Sequence, residues 1–407
     1  MLKGMNNFVY YNPTRIFFGK NTIIPNLKTL IPKKSNILVT YGGGSIFRNG
    51  VFDQVTKGLG EGGHKIFEYG GITPNPRYKH AMEAVDICRK KNIDFLLSVG
   101  GGSVLDLTKF ISLSSKYEGN DPWDLIAKIG SPEVKVPKSV IPIGDVLTLP
   151  ATGSEANCGF VVTRETPKGN IKIGARYESV FPKFSILDPE TTYSLPWKQT
   201  VNGIVDAFVH CVEFYMNADD GHPLPDRYTE GVMETLIDAS YRVKKNKKDY
   251  VARADIFWAS TLALNGMSGC GIYEPDGVTH HIGHEITALT EADHGLTLAC
   301  VLPGVWRHQF EYKKEKLAMF AERVWKIRSG NVEQKARKAI DCTIKWLNDI
   351  GMPTRLSACG KILPSNYRAM GEHAVGFWSK VMGTKGIGQK RNVGVKEIIE
   401  ILELCDK

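Results

Sequence analysis

Short apolar runs rich in β-branched residues alternate with amphipathic helical patterns over the first half of the chain and stop after Asp188. Two of these runs, residues 36–41 and 94–99, lead directly into a glycine triplet followed by serine. Strands that alternate with helices predict a parallel sheet covered by helices. The sequence therefore predicts an α/β domain with a Rossmann-like parallel sheet over residues 1–190 and an all-α domain over residues 191–407. A chain of 407 residues is expected to divide in this way.

The same patterns predict individual elements. Strands are predicted at 36–41, 65–69, 94–99, 139–149, 158–164 and 183–187. Helices are predicted at 45–60, 76–91, 104–115, 197–216, 226–245, 250–267, 276–289, 296–327, 333–349 and 390–404. Most of the segment 350–400, which carries Gly383, Gly386 and Gly388, is expected to be a loop.

Composition and charge restrict the partners. A hydrophobic content of 42% and a charged content of 23% are typical of a globular protein, and no apolar run approaches the roughly 18 residues of a membrane span. The net charge of +9 favours anionic partners such as a phosphorylated cofactor. The densest basic run, residues 244–248, has no interleaved aromatic residues, so we expect no nucleic-acid partner. The eight cysteines show no Cys-x-x-Cys spacing, and the N-terminus lacks a signal-peptide pattern, so we expect free thiols and a cytoplasmic location.

Histidine and carboxylate residues recur at helical spacing in two segments of the second half. Asp206 and His210 lie four residues apart on an apolar predicted helix, His280 and His284 repeat that spacing, and His294 follows after a short loop. Side chains four residues apart share one face of a helix. Three imidazoles and a carboxylate suit Zn²⁺ or Fe²⁺ better than Mg²⁺ or Ca²⁺. A hydrogen-bonded structural role is the alternative for any single histidine, but a buried carboxylate needs a partner, and a cation would supply one.

The glycine triplets form a second candidate site. Gly42–Ser45 and Gly100–Ser103 each follow a predicted strand, where backbone N–H groups and a helix N-terminus can hold a phosphate. Neither matches the Gly-x-Gly-x-x-Gly fingerprint, and a tight turn is the alternative for each. The hydroxyl-rich turn 149–155 and Lys172, in an apolar run typical of a hairpin arm, could hold cofactor oxygens. Their alternatives are a plain loop and a surface lysine.

Eight short motifs carry a resemblance to a known family. They are Phe17-Phe-Gly-Lys20, Asn75-Pro76, Gly100-Gly-Gly-Ser-x-x-Asp106-x-x-Lys109, Ala151-Thr-Gly-Ser-Glu155, Asp188-Pro189, Asp206-x-x-x-His210, His280-x-x-x-His284 and Asp293-His294-Gly295. With these motifs the chain resembles the iron-containing (group III) alcohol dehydrogenases, most of all the branch of butanol dehydrogenases and NADPH-dependent aldehyde reductases. The resemblance implies a dehydroquinate-synthase-like fold, in which the α/β domain binds a nicotinamide cofactor and the helical domain binds a metal.

The resemblance also implies roles for individual residues. The metal ligands would be Asp206, His210, His280 and His294, whereas His284 would lie beside the nicotinamide ring. Asp206, His280 and His284 would form the catalytic group. The implied cofactor-binding residues are Gly42, Gly43, Gly44, Ser45, Asn75, Gly101, Gly102, Ser103, Asp106, Thr148, Thr152, Lys172 and His284.

The resemblance also implies a cofactor preference and a reaction. Many members of the family hold the adenosine ribose with an acidic residue after the first strand, where this chain has Gly42–Ser45, so we expect a preference for NADP(H), with NAD(H) as the alternative. The expected reaction interconverts short-chain primary alcohols and aldehydes, such as butanol and butanal, by hydride transfer, with the metal as Lewis acid. A metal-dependent lyase, a polyol-phosphate dehydrogenase and a non-enzymatic metal or nucleotide binder are the alternatives. We expect a homodimer.

Overall fold

The computed structural model describes residues 6–167, 169–217, 223–272 and 275–406, apart from the side chains of 378 and 380–382. These residues form two compact units. The first, which we call the sheet unit, comprises Asn12–Pro196 and Lys247–Phe257. The second, which we call the helical unit, comprises the described residues of Met1–Tyr11, Trp197–Asn246 and Trp258–Lys407.

The sheet unit is built on six parallel strands and a separate antiparallel hairpin. The eight strands are β1 (Arg15–Phe18), β2 (Asn36–Tyr41), β3 (Lys65–Tyr69), β4 (Phe95–Gly101), β5 (Ile143–Leu149), β6 (Gly159–Thr166), β7 (Gly169–Arg176) and β8 (Phe184–Leu187). The parallel sheet has the order β1-β8-β5-β4-β2-β3, and β6 pairs with β7. The central strands β4 and β5 are almost completely buried, which explains their nearly continuous apolar sequences.

Six helices belong to the sheet unit. They are α1 (Ile23–Leu30), α2 (Ser45–Arg48), α3 (Val51–Glu61), α4 (Tyr78–Lys90), α5 (Gly102–Ser114) and α6 (Asp124–Ala127). The chain passes from β2 to β3 on one side and then to β4 on the other, so β2 and β4 are neighbours at the point where the winding reverses. In parallel sheets, ligands bind outside the carboxyl ends of the strands at such a point. The two glycine triplets lie at these strand ends.

The helical unit contains most of the remaining helices, and α9 divides between the two units. They are α7 (Trp197–Tyr215), α8 (Pro223–Lys245), α9 (Tyr250–Ala263), α10 (Val278–Thr290), α11 (His294–His308), α12 (Phe310–Arg323), α13 (Val332–Asp349), α14 (Pro364–Met382) and α15 (Val395–Leu404). Phe208 of α7 packs against Trp346 of α13 and Phe320 of α12, with ring centroids 4.7 and 6.3 Å apart. This apolar contact fixes one face of α7, the helix that carries Asp206 and His210.

The predicted fold class, an α/β domain followed by helices, is confirmed, and each predicted strand is present. Three of the predicted segments were wrong. The predicted helix 45–60 is two helices, α2 and α3, because Gly50 between them adopts a left-handed φ of 76°. The predicted helix 296–327 is two helices, because Gln309 leaves the helical conformation at φ −94° and ψ 18°. The segment predicted as a loop contains α14, which begins at Pro364 and ends at Gly383 with a left-handed φ of 65°. None of the helices in the described part of the chain has the length and apolar character needed to span a membrane.

Candidate functional site

Helix α7 provides the first two polar side chains of a buried cluster. It is apolar on most of its surface, and only 3% of Asp206 is exposed. Asp206 and His210 lie on the same face, and His210 Nδ1 is 3.5 Å from Asp206 Oδ1. This separation exceeds the ~2.7–3.2 Å of a nitrogen–oxygen hydrogen bond. The two groups therefore face one another without bonding directly.

Helices α10 and α11 bring two more imidazoles to the same carboxylate oxygen. His280 Nε2 lies 3.6 Å from Asp206 Oδ1, and His294 Nε2 lies 3.9 Å from it. The rings of His210 and His280 stack with centroids 4.4 Å apart. The ligand atoms of Asp206, His210 and His280 all lie within 4.8 Å of one another. Residues that are about 70 positions apart in the sequence thus converge on one point.

These distances fit a bound cation. Ligands about 2.0 Å from a tetrahedral metal ion are separated from one another by about 3.3 Å, slightly less than the distances from Asp206 Oδ1 to the three nitrogens. His210 Nδ1 and His280 Nε2 are buried, and neither has a hydrogen-bond partner among the described residues. Imidazole nitrogens with one carboxylate are a donor set suited to Zn²⁺ or Fe²⁺. Asp206, His210 and His280 therefore match a divalent metal ion in type and spacing, and His294 Nε2 lies near the same carboxylate oxygen.

Burial and neighbouring charges set the protonation of two of these histidines. Burial lowers the pKa of His210 to about 4, so its imidazole is neutral and keeps a lone pair at neutral pH. Burial also lowers the pKa of His280, but the charges of Glu213 and Asp206 outweigh that effect and raise it to about 10. A cation that binds His280 therefore has to displace a proton.

His284 lies beside the cluster and outside its ligand group. It follows His280 by one turn of α10, and its ring centroid is 6.4 Å from that of His280 and 5.1 Å from that of His294. The sequence spacing alone treats His280 and His284 as equivalent. The structure separates them, because His280 Nε2 lies 3.6 Å from Asp206 Oδ1 and belongs to the group of ligand atoms within 4.8 Å of one another, to which His284 does not belong.

The glycine triplets lie where the chain leaves β2 and β4. Gly44 adopts a left-handed φ of 84° immediately before α2. A Cβ on Gly101 would lie 3.0 Å from Leu149 Cβ, and one on Gly102 would lie 2.5 Å from Thr152 Oγ1. The glycine triplet after β4 therefore packs closely against the turn after β5. Ser103 lies in the first turn of α5, and Thr148 is buried near the end of β5.

The remaining candidate cofactor residues have partners within the sheet unit. Lys172 Nζ, on β7, donates to Asn75 Oδ1 at 2.9 Å. Asp106 accepts hydrogen bonds from Ser154 Oγ at 2.7 Å and from the backbone N–H of Val161 at 3.0 Å. Asn75 and Lys172 thus form a pair, and Asp106 fixes the turn after β5 against α5.

Lys109 is fully buried one turn after Asp106. Its ammonium group donates to the backbone oxygens of Ser154, Asn157 and Gly159 at 2.7, 2.9 and 2.8 Å, and it also contacts side-chain oxygens of Ser154 and Asn157. Burial lowers the pKa of Lys109 to about 8, although Asp106 opposes the shift. These hydrogen bonds fix the segment between β5 and β6 against α5.

The comparisons with known proteins agree with this architecture. Residues 13–189 match the model of the family described as iron-containing alcohol dehydrogenase, and residues 200–404 match its C-terminal model. The chain is 44% identical to the NADPH-dependent aldehyde reductase YqhD of Escherichia coli, over 91% of this chain and 94% of that protein. It is 43% identical to NADP-dependent alcohol dehydrogenase 3 of Entamoeba histolytica, over 88% and 90% of the two chains.

The chain belongs to the iron-containing alcohol dehydrogenase family. A crystal structure of NADH-dependent butanol dehydrogenase A from Thermotoga maritima superposes on it with a TM-score of 0.90 at 33% identity, covering 99% of this chain and 100% of that one. The resemblance stated from the motifs is therefore confirmed. So is the class of activity, an alcohol and aldehyde oxidoreductase of this family.

Two further polar residues of α7, Glu213 and Asn202, lie near the candidate ligands and were not predicted from the sequence. Glu213 Oε2 lies 2.5 Å from His280 Nδ1, and Glu213 is itself buried. Asn202 lies one turn before Asp206, and neither atom of its buried amide has a hydrogen-bond partner among the described residues. Asn202 lies four residues before Asp206, and Glu213 lies seven residues after it. Both therefore follow the helical spacing that revealed Asp206 and His210. Extending that spacing along α7 could have found them.

Proposed function

We propose that this chain interconverts short-chain primary alcohols and aldehydes, such as butanol and butanal, by hydride transfer with a nicotinamide cofactor. The observation that carries the proposal is the convergence of three imidazole nitrogens, at 3.5 to 3.9 Å, on one oxygen of Asp206. We assign the dinucleotide to a domain spanning residues 1–190 and the metal to a catalytic domain spanning residues 191–407.

Asp206, His210, His280 and His294 would hold one divalent ion, Fe²⁺ or Zn²⁺. When bound, the ion supplies a Lewis acid that polarises the oxygen of the alcohol or aldehyde. The buried carboxylate of Asp206 offsets part of the ion's charge, and the neutral imidazole of His210 offers its lone pair at neutral pH. The apolar residues of α7 around Asp206 leave only 3% of it exposed.

His284 would serve the reaction without holding the ion. Its ring lies 5.1 Å from that of His294, and an imidazole beside the ligand group could exchange a proton with a substrate oxygen directly or through one water molecule. Its other candidate role is to position the nicotinamide ring. In either role, loss of the imidazole lowers turnover and leaves the ligand group intact.

The cofactor would lie along the carboxyl ends of β2, β4 and β5, held by the thirteen residues assigned to it from the sequence. No carboxylate occurs in Gly42–Ser45, so nothing there repels a 2′-phosphate, and backbone N–H groups and Ser45 can bind one. The two relatives at 44% and 43% identity carry NADPH or NADP in their names. These observations support NADP(H) as the preferred cofactor over NAD(H).

We propose a cytoplasmic enzyme, consistent with eight free cysteines, that binds neither nucleic acid nor membranes. We also propose a homodimer. Four consecutive large side chains, those of Phe8, Val9, Tyr10 and Tyr11, are 45–93% exposed, an apolar stretch of the kind that subunit contacts cover.

A spectrophotometric assay tests the activity. NADPH oxidation with butanal is measured for metal-loaded and chelator-treated protein, and kcat/KM is compared between NADPH and NADH. The proposal expects activity that chelation removes and metal restores, with a higher kcat/KM for NADPH. Inactivity of the loaded protein with a panel of aldehydes and alcohols would overturn the proposed reaction, and a clear NADH preference would overturn the cofactor assignment.

Two variants test the division of roles. His284→Ala should lower kcat and retain the metal, whereas Asp206→Ala should lose both, because it removes the oxygen that the three nitrogens surround. Metal content is measured on the same preparations. Equal metal retention in the two variants would contradict the assigned roles.

A further inference from the structure

Glu213 makes two contacts with the same residue of α10. Its Oε2 lies 2.5 Å from His280 Nδ1, and its Oε1 accepts the backbone N–H of His280 at 3.1 Å. Glu213 lies on α7, seven residues after Asp206, and is 6% exposed. One carboxylate therefore connects the ring and the backbone of a candidate ligand to α7, the helix that carries two other candidate ligands, Asp206 and His210.

The backbone contact provides a hydrogen-bond acceptor for an N–H group at the N-terminus of α10. This helix starts at Val278, so His280 is its third residue, and its N–H is one of the first donors that have no carbonyl partner within the helix. A carboxylate at a helix N-terminus also interacts favourably with the helix dipole. Glu213 thus fixes the position of the first turn of α10 relative to α7.

The ring contact determines which nitrogen faces Asp206. Once a cation has displaced the second ring proton, an imidazole that donates from Nδ1 to a carboxylate keeps its other nitrogen, Nε2, unprotonated and available as a ligand. His280 Nε2 is the atom that lies 3.6 Å from Asp206 Oδ1. Without Glu213, nothing among the described contacts of the ring holds the proton on Nδ1.

A backbone hydrogen bond and a buried ion pair fix the segment that precedes α10. The backbone N–H of Asp276 donates to the backbone oxygen of Glu213 at 3.0 Å, and the side chain of Asp276 pairs with Lys313 at 3.0 Å. Asp276 is 5% exposed and Lys313 is fully buried. The turn that leads into α10 is therefore anchored to Glu213 from a second direction.

We propose that Glu213 is a positioning residue of the metal centre, which fixes the tautomer and orientation of His280 so that Nε2 coordinates the ion. The inference rests on the metal centre proposed above. Outer carboxylates of this kind typically change metal affinity by about 10- to 100-fold. Glu213→Gln keeps the shape but replaces one acceptor oxygen by a donor, so it cannot accept both the ring and the backbone N–H of His280.

Zinc affinity measured by chelator competition tests the proposal, with Glu230→Gln as the matched control. Glu230 is a buried glutamate of the same unit that bonds Tyr215, Arg227 and Arg323 instead of a candidate ligand. We expect Glu213→Gln to raise the zinc Kd about 10- to 100-fold and Glu230→Gln to leave it within about twofold of wild type. An unchanged Kd for Glu213→Gln, or an equal loss in both variants, would overturn the proposal.

The zinc Kd of a second variant and the tautomer of His280 provide two further tests of the role of Glu213. Glu213→Asp keeps the charge but shortens the side chain, so a Kd raised at least about threefold supports the proposal even if Glu213→Gln does not fold, and an unchanged Kd overturns it. Long-range ¹⁵N–¹H spectra of ¹⁵N-histidine-labelled, zinc-loaded protein should show the Nδ1–H tautomer of His280 in wild type and its loss in Glu213→Gln. If the wild type binds no zinc at Asp206, the metal centre fails; if it does and the variants match it, only the role of Glu213 fails.

Discussion

Gly295 of α11 lies against the backbone of α7, and an added methyl group there should disturb the proposed metal centre. A Cβ at position 295 would lie 2.4 Å from the backbone oxygen of Asn202 and 2.8 Å from its Cα. Ordinary carbon–oxygen contacts are about 3.3–3.6 Å, so the two helices would have to separate by about 1 Å. The clash is with helix backbone, which cannot rotate away as a side chain can. Gly295→Ala is therefore expected to cost about 1–3 kcal/mol of folding free energy.

The displacement falls on residues of the candidate site. His294 precedes Gly295, and Asp206 follows Asn202 by one helical turn, so a shift between α11 and α7 moves these two groups apart. A misplacement of about 1 Å typically costs about 100-fold in rate. We expect Gly295→Ala to lower kcat/KM with butanal and NADPH by about that factor and to raise the zinc Kd.

Gly231→Ala provides the matched control. Gly231 is exposed in α8, and no described atom outside its own helix turn lies within 4 Å of the added Cβ. The substitution should raise stability by up to about 1 kcal/mol through helix propensity and leave kcat/KM unchanged. Thermal unfolding, zinc Kd and steady-state kinetics are measured for both variants. Equal behaviour of the two variants would refute the reasoning.

Two further predictions concern buried and paired charges. Lys109→Met should destabilise the protein by about 3 kcal/mol or more in urea unfolding, because it leaves the Asp106 carboxylate and several buried oxygens without their cation; a loss below about 1 kcal/mol would contradict this. The hydrogen bond to Glu285 raises the pKa of His373, so the pair contributes its full stabilisation below about pH 6.5, as long as Glu285, whose own pKa is raised by burial, stays ionised, and loses that contribution as the pH rises through the raised pKa of His373. The difference in unfolding free energy between wild type and His373→Gln should therefore shrink from about pH 6 to about pH 9, and a constant difference would count against the pairing.

The fold could be predicted from the sequence where burial leaves a clear pattern. The central strands are buried on both faces, so their apolar runs identify them unambiguously. Edge strand β1, with the sequence Arg-Ile-Phe-Phe, is only four residues long and partly exposed, so its pattern is too weak to recognise. Helix α14 was missed because its internal glycines and the following glycine-rich stretch favour a loop, whereas its packing against α10 and α15 stabilises a helix.

The clustering of Asp206, His210 and His280 could be predicted because these residues follow helical spacing on apolar segments. The distinction between His280 and His284 was not available from that spacing, since both lie on one face of α10. It arises from the tertiary contact between α10 and α7, which brings His280 toward Asp206 and Glu213. For Asp106, the family resemblance suggested a cofactor contact but could not reveal the bonds to Ser154, in the turn after β5, and to Val161, in β6.

Anomalous diffraction from a zinc-loaded crystal, measured above the zinc absorption edge, tests the central claim most directly. We expect one strong peak that lies within about 2.0–2.2 Å of a carboxylate oxygen of Asp206 and of one nitrogen each of His210, His280 and His294. His284 should lie outside the coordination sphere. Absence of a peak at that position, or a peak ligated by His284 in place of His280, would contradict it.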